Sequence, residues 1–379
     1  MKASEMLGKK MLLDGNTAVA LAGFAARVQA SPNYCITPST GAVEKLIEFL
    51  GESGSQTRWM YNEHAAMEAC VGAALLGLRV MTATSSHGLT LMSESMHSAA
   101  KERASVVLAV ANRSLGLPWN IWPDFQDSLS QRDTGWIQLY CEDVQEVFDT
   151  VLQAFKITET VKIPAMVCYE GFILSHLSEI IDIPSQEAID GFLPPVNTLL
   201  PLNPDDPYVF SGSSRTPVHS QRLFEAMRSA PKIIKQVMVA FNKSFGRNYR
   251  LVMPYKIQPK QELILVAAGI TASIAKEAVD LYGDRVGLLK LRLFRPFPST
   301  ALRYWLSKGK KIAVFDRSMS YGAKGIFAQE IESAMYNSNI PIFNYIRGMG
   351  GKDIRPEHIV EDIEDALKSD NPRMIRWRS

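Results

Sequence analysis

Residues 105–111 read Ser-Val-Val-Leu-Ala-Val-Ala, a run that is apolar at every position after the serine. A strand with one wet face alternates, and this one does not, so it must be covered on both sides as parallel strands are. Parallel neighbours need long crossover connections, usually helices. The sequence supplies them. Asn16 to Ala30 carries Ala18, Leu21, Ala22 and Ala25 at the spacing of one helical face. Pro38 and Ser39 can open a helix over Gly41 to Phe49, and Glu63 to Leu78 reads as a second, rich in Ala and Gly. Val144 to Ile157 is predicted helical, and Asn33–Ile36, Arg79–Thr84 and Ala165–Cys168 are predicted strands. Strand and helix alternating in this way predict a three-layer α/β domain around a parallel sheet.

The pattern breaks near Pro184. Pro194, Pro195, Pro201, Pro204 and Pro207 precede a Ser-Gly-Ser-Ser stretch, which reads as an extended surface connector. Ser220 to Phe245 then reads as one long helix with Lys and Arg on a solvated side. A second α/β unit follows. ELILVAAG is a buried strand, ITASIAKEAVDLYG a helix closed by Gly283, VGLLKLRLFRPFP a strand running into a loop, and KKIAVFDRS another strand. The expected division is a domain over 1–195, a connector with the long helix over 196–257, and a smaller domain over 258–379.

Charge and cysteine usage exclude several functions. Lys and Arg total 41 against 39 Asp and Glu, so bulk charge does not suit the chain to nucleic acid. No run approaches the roughly 18 apolar residues of a membrane span, and the first residues lack the apolar core of a signal peptide. A cytoplasmic location is expected. Cys35, Cys70, Cys141 and Cys168 lie far apart, without the spacing of a disulfide framework, a zinc site or an iron–sulfur site.

No GxGxxG, phosphate loop, GxSxG or HExxH motif is present. Polar residues gather instead after the predicted strands, the edge where open parallel sheets bind ligands. Thr37, Ser39 and Thr40 follow the first, Thr84-Ser85-Ser86-His87 another, and Asn112-Arg113-Ser114 the apolar run. Glu63-His64 opens a helix. Ser and Thr at such places equally cap helices and form turns, and Glu63 beside a helix N-terminus is favoured by the dipole alone. Arg113 calls for an anionic partner, and a small carboxylate is the natural bidentate ligand. A carboxyl at Glu63, beside small apolar residues, could share a proton with a cofactor ring nitrogen.

Ten segments resemble the 2-oxoacid:ferredoxin oxidoreductase family, and within it alpha chains of the pyruvate synthase type. They are YCITPST (34–40), EHAAMEACVGAALLG (63–77), TATSSHGL (82–89), NRSL (112–115), NIW (120–122), DSLSQRD (127–133), TGWIQLY (134–140), MVCYEGFILSH (166–176), KLRLFRPFP (290–298) and RGMGGKDI (347–354). The match is ordered and spans nearly the whole chain.

The resemblance implies a pyrimidine-side thiamine diphosphate-binding domain, followed by a domain like the transketolase C-terminal domain. Glu63, the glutamate of the family's E-H-A motif, would bond the aminopyrimidine ring and favour its imino tautomer. Thr37 and Pro38 of ITPST would border the cofactor, and Thr37, Asn112 and Arg113 would hold substrate. Arg113 would pair with the 2-oxo acid carboxylate and mainly orient it. The chain lacks the GDG motif that holds diphosphate and Mg²⁺. By resemblance, Mg²⁺ and [4Fe-4S] clusters belong to beta, gamma and delta-type partner subunits, which pass electrons to ferredoxin. The implied reaction converts pyruvate and coenzyme A to acetyl-CoA and carbon dioxide, reversibly. A stretch with Trp119 and Trp122 agrees with a pyruvate-type loop. Branched-chain, 2-oxoglutarate, aryl-glyoxylate or oxalate chemistry is the alternative, as is a thiamine enzyme component that works without ferredoxin. A non-catalytic scaffold is argued against by intact Thr37, Glu63 and Arg113. Two positions depart from the family. Cys35 stands where proline is usual, and His87 where glutamine or a small residue is commoner.

Overall fold

The computed structural model describes residues 1–196, 216–372 and 374–378. The first strands are β1 (Lys10–Asp14), β2 (Ala30–Asn33), β3 (Gln56–Trp59), β4 (Val80–Thr84), β5 (Val106–Asn112), β6 (Ile137–Tyr140), β7 (Ala165–Glu170) and β8 (Ser178–Asp182). They are followed by β9 (Val252–Tyr255), β10 (Gln261–Ala267), β11 (Val286–Leu291), β12 (Leu293–Arg295), β13 (Gly309–Asp316), β14 (Ile342–Ile346) and β15 (Ile375–Trp377).

The apolar run becomes β5, and its neighbours explain its composition. It pairs in parallel with β4 on one side and β7 on the other. Val107, Ala109 and Ala111 enter one core, with the helices Gly15–Ala25 and Val144–Val161. Val106, Leu108 and Val110 enter the opposite core, with the helix Glu63–Leu75. Every residue of the strand is buried because both pleat faces have a dry destination. The whole sheet runs β12-β6-β7-β5-β4-β2-β3, parallel except at the β12 edge. β1 and β8 form a separate antiparallel pair.

A second sheet runs β15-β14-β13-β10-β11-β9, parallel except for β9. Its all-buried β11 and the apolar body of β10 form the strands expected of the second unit. The two sheets share the chain in a way the sequence did not announce. The stretch VGLLKLRLFRPFP does not make one strand. β11 closes at Leu291 in the second sheet, and β12 crosses to the first, antiparallel to β6. Likewise β9, upstream of residue 258, pairs with β11.

Buried charge explains the crossing. Lys290 and Arg292 flank Leu291 and are 1% and 0% exposed. Arg292 Nε donates to Glu146 Oε1 at 2.6 Å, and Lys290 reaches both Glu146 and Glu142. Burial pushes the Glu146 carboxyl up, but Lys290 and Arg292 outweigh it and hold it below the usual range. Glu146 lies on the first unit's helix, so the cluster locks the crossover between the sheets.

Other expectations shift by a few residues. The first strand ends at Asn33 rather than running from Asn33 to Ile36, because 34–39 turn out of the sheet with Cys35 and Thr37 exposed. Gly283 begins a short 3₁₀ turn, and its helix ends at Asp280. The long helix spans Thr216–Phe245 and buries Ala230, Ile234, Val237, Met238 and Phe241 against the first core. Arg228, Lys232 and Lys235 lie on its exposed side. The Pro-rich connector, from Pro201 to Ser214, lies outside the described residues. No described helix is long and apolar enough to cross a membrane.

Removing Glu146 would leave the buried Arg292 guanidinium without a carboxylate and Lys290 with Glu142 alone. Glu146→Ala should therefore cost about 3–5 kcal/mol, whereas Lys45→Ala, at an exposed pair, should cost at most about 1 kcal/mol. Denaturant unfolding of the two variants checks this, and equal losses would contradict it.

Candidate active site

The C-terminal ends of β2, β4 and β5 point the same way, because the three strands run parallel. Each end delivers a loop, and the loops meet. After β2 comes Thr37, exposed, then Pro38 and Ser39, both buried. Asn16 fixes this turn by donating from Nδ2 to the Pro38 carbonyl at 2.9 Å, and its Oδ1 accepts from the Tyr169 hydroxyl at 2.8 Å. Gly171 packs beneath, where a Cβ would come within 2.5 Å of the Pro38 ring.

Arg113, after β5, reaches across to this turn. Its Nη1 donates to the Thr37 carbonyl at 3.0 Å and its Nε to the Asn120 carbonyl at 2.7 Å. Thr37 and Arg113 are thus brought together. Burial lowers the Arg113 pKa and the Asp127 carboxylate opposes this, so the guanidinium stays charged. Asn112, expected on the substrate, sits elsewhere. It is 0% exposed, and its amide nitrogen donates to Asp127 at 2.7 Å and to Ser128 at 2.8 Å. Its amide nitrogen thus supports the turn behind Arg113, while its Oδ1 is buried without a hydrogen-bond partner.

Asp127 is the hub that the sequence reading missed. Its carboxyl accepts from the Ser86, Arg113 and Ser128 backbone amides at 3.0, 2.9 and 2.7 Å, besides the Asn112 amide. Burial pushes its pKa up to about 7, while these donors pull it back. The DSLSQRD segment carried no local signal of this, because six of its seven residues are polar and nothing in the pattern marks Asp127 as buried.

Glu63 begins the helix Glu63–Leu75, capped by Asn62, whose side chain accepts from Ala65 N at 2.8 Å. Glu63 is only 6% exposed. It faces Gly88, where a Cβ would lie 2.5 Å from Oε1 and 2.6 Å from Thr84 Oγ1. Any side chain at 88 would fill the space in front of the carboxyl. Desolvation raises the Glu63 pKa, partly offset by a backbone N–H. The hydroxyl of Thr84 is buried without a hydrogen-bond partner. A buried carboxyl held toward its protonated form, beside an orphaned hydroxyl, suits a polar group brought by a ligand. His64, by contrast, is paired with Ser95 at 3.1 Å.

His87 accepts from the Gly116 amide at Nε2, 3.2 Å away, and Nδ1 lies 3.1 Å from the Ser86 hydroxyl. An Nε2 that accepts requires the neutral ring, and burial followed by the nearby Arg113 lowers its pKa. The imidazole also packs on Trp119, ring centroids 5.7 Å apart. Around this edge Tyr61, Leu117, Trp119 and Trp122 are 93%, 81%, 71% and 51% exposed. Among the described residues, no group of three His, Cys, Asp or Glu could hold a metal ion.

Residues 22–239 match the family described as pyruvate flavodoxin/ferredoxin oxidoreductase, thiamine diphosphate-binding, and residues 261–359 match pyruvate:ferredoxin oxidoreductase core domain II. The chain is 42% identical over 383 residues to ketoisovalerate oxidoreductase subunit VorA of Pyrococcus abyssi, covering 97% of each chain. It is 39% identical over 377 residues to pyruvate synthase subunit PorA of Methanothermobacter thermautotrophicus, again covering 97% of each. Its fold is similar to that of a 2-oxoglutarate:ferredoxin oxidoreductase from Magnetococcus marinus, solved with 2-oxoglutarate, coenzyme A and succinyl-CoA bound, with a TM-score of 0.76 at 19% identity. That alignment covers 95% of this chain and 65% of the other.

A lowered histidine pKa contributes stability that is present above the ordinary value of 6.5 and lost as pH falls through the lowered one. Thermal unfolding should therefore separate wild type from His87→Phe most at pH 7 to 8 and least at pH 5. A difference that grew on acidification would contradict the neutral, accepting ring.

Proposed function

The chain belongs to the 2-oxoacid:ferredoxin oxidoreductase family as an alpha-type subunit, and from that premise we propose that it carries the pyrimidine-side half of a thiamine diphosphate site acting on pyruvate. In this reading residues 1–195 form that half and residues 258–379 the transketolase C-terminal-like domain. The observation that carries it is Glu63, a buried carboxyl at a helix N-terminus, raised in pKa, facing a glycine and an unpartnered threonine hydroxyl.

Thiamine diphosphate, when bound, supplies the acidic thiazolium carbon that adds to the keto carbon of the substrate. Everything else falls to protein groups. Glu63 holds a proton between its carboxyl and the pyrimidine ring nitrogen, and its burial brings its proton affinity toward that task. Gly88 leaves room for the ring. Arg113 pairs with the substrate carboxylate, and Thr37 and Pro38 border the same space. The Arg113–Thr37 bond and the Asp127 mount set the guanidinium in place before substrate arrives, so orientation is gained at binding.

Mg²⁺, the diphosphate site and the [4Fe-4S] clusters are assigned to beta, gamma and delta-type partner subunits docked over the exposed Tyr61–Trp122 face. Ferredoxin takes the electrons and coenzyme A the acyl group. A second substrate has a specific observation in its favour, since ketoisovalerate oxidoreductase subunits stand beside pyruvate synthase subunits among the relatives.

The test is viologen reduction by the anaerobically purified complex, with pyruvate, ketoisovalerate and 2-oxoglutarate, each with and without coenzyme A. Pyruvate should give the highest kcat/KM. A tenfold preference for ketoisovalerate would overturn the substrate choice, and no reduction by any acid would overturn the activity. Glu63→Gln should lower kcat by about 10²-fold or more. Arg113→Ala should raise KM for the 2-oxo acid and leave KM for coenzyme A unchanged.

A further inference from the structure

The loop between Arg113 and the helix Gln126–Ser130 is held from two directions. Asp127 anchors its ends within the first unit. Its middle is gripped by the second unit, at the end of β13 and at the 348–351 turn. Arg317, directly after β13, is 3% exposed. Its Nη2 donates to the Pro123 carbonyl at 2.8 Å, and its own carbonyl accepts from Phe125 N at 2.9 Å. Its guanidinium lies over the Phe125 ring, 5.7 Å from the centroid, with Nη1 3.7 Å from buried Glu170. Gly350 N donates to Asp124 at 2.9 Å. Trp122 packs so closely on Gly351 that a Cβ there would come within 1.9 Å. Gln126 exchanges two hydrogen bonds with the Met319 backbone, at 3.1 and 2.9 Å.

This grip leads back to Arg113. Arg113 Nε donates to the carbonyl of Asn120. The Asn120 side chain in turn accepts from Ser114 Oγ at 2.8 Å and Trp122 N at 2.9 Å. Trp122, Pro123 and Phe125 are therefore fixed from the second unit, and Asn120 transmits their position to the guanidinium. We propose that Arg317 is a positioning residue for the 2-oxo acid site: by clamping residues 122–125 it sets the orientation of Arg113. The proposal rests on Arg113 as the carboxylate partner. A merely structural Arg317 would knit the two units together without favouring one substrate over the other.

A double-mutant cycle in the assembled complex separates these roles. Arg113→Ala, Arg317→Gln and the double variant are compared for kcat, for KM of pyruvate and of coenzyme A, and for the Kd of oxamate, a non-reacting carboxylate analogue. Arg317→Gln should raise KM for pyruvate and Kd for oxamate about tenfold, with KM for coenzyme A unchanged. The double variant should bind no more weakly than Arg113→Ala alone. Additive losses, or unchanged oxamate binding in Arg317→Gln, overturn the proposal. Unchanged oxamate binding in Arg113→Ala overturns the carboxylate assignment, and the proposal with it. Should Arg317→Gln fail to assemble, Gln126→Ala releases the same loop from a half-buried position. It should weaken oxamate binding about threefold in the wild-type background and not in Arg113→Ala. Equal weakening in both backgrounds, or none, overturns the proposal.

Discussion

A single buried carboxylate organises the edge of the first sheet. Asp127 is 0% exposed, and taking a carboxylate out of water costs several kcal/mol unless its lone pairs are filled. Here they are filled by four N–H donors, from the loop after β4, the end of β5 and the start of the helix Gln126–Ser130. Charge-assisted bonds of this kind are about twice as strong as neutral ones, and each comes from a segment that must also place a site residue. Ser86 adjoins His87 and Gly88, Asn112 adjoins Arg113, and Ser128 adjoins the loop returning from Trp122. Displacing the carboxylate would free all three at once.

The second unit is joined to this edge by contacts of two kinds. At the crossover, Glu142 and Glu146 capture Lys290 and Arg292, and the chain crosses from one sheet to the other between them. Near the site, Arg317, Met319, Gly350 and Gly351 hold the loop that follows Arg113. The first set fixes how the units sit, and the second uses that arrangement to support a loop whose outer residues are exposed. Residues separated by about two hundred positions thus meet within one hydrogen-bond network.

What the sequence could disclose follows from the range of the forces involved. The run at 105–111 betrayed a doubly covered strand because hydrophobic burial is local in pattern, and ELILVAAG did the same for the second sheet. Arg113 was legible because a cation ending an apolar strand has few bland explanations, and Glu63 because it opens a helix of small residues. β2 was misplaced by three residues, since Ala-Ser-Pro-Asn has little strand character and pairs with β3 and β4 only in the folded sheet. Asn112 was assigned to substrate, and the fold spends its amide nitrogen on Asp127 and Ser128 while its Oδ1 stays unpartnered. Arg317 and Asp124 were invisible because their partners lie across the domain seam and no local period marks them.

In the proposed site Glu63 shares a proton with the pyrimidine ring of thiamine diphosphate. This is tested most directly by the exchange rate of the thiazolium C2 proton in the assembled complex, compared between wild type and Glu63→Gln at equal cofactor content. Exchange in the variant should be slower by about 10²-fold or more. Exchange at the wild-type rate in a variant that still binds the cofactor would contradict it.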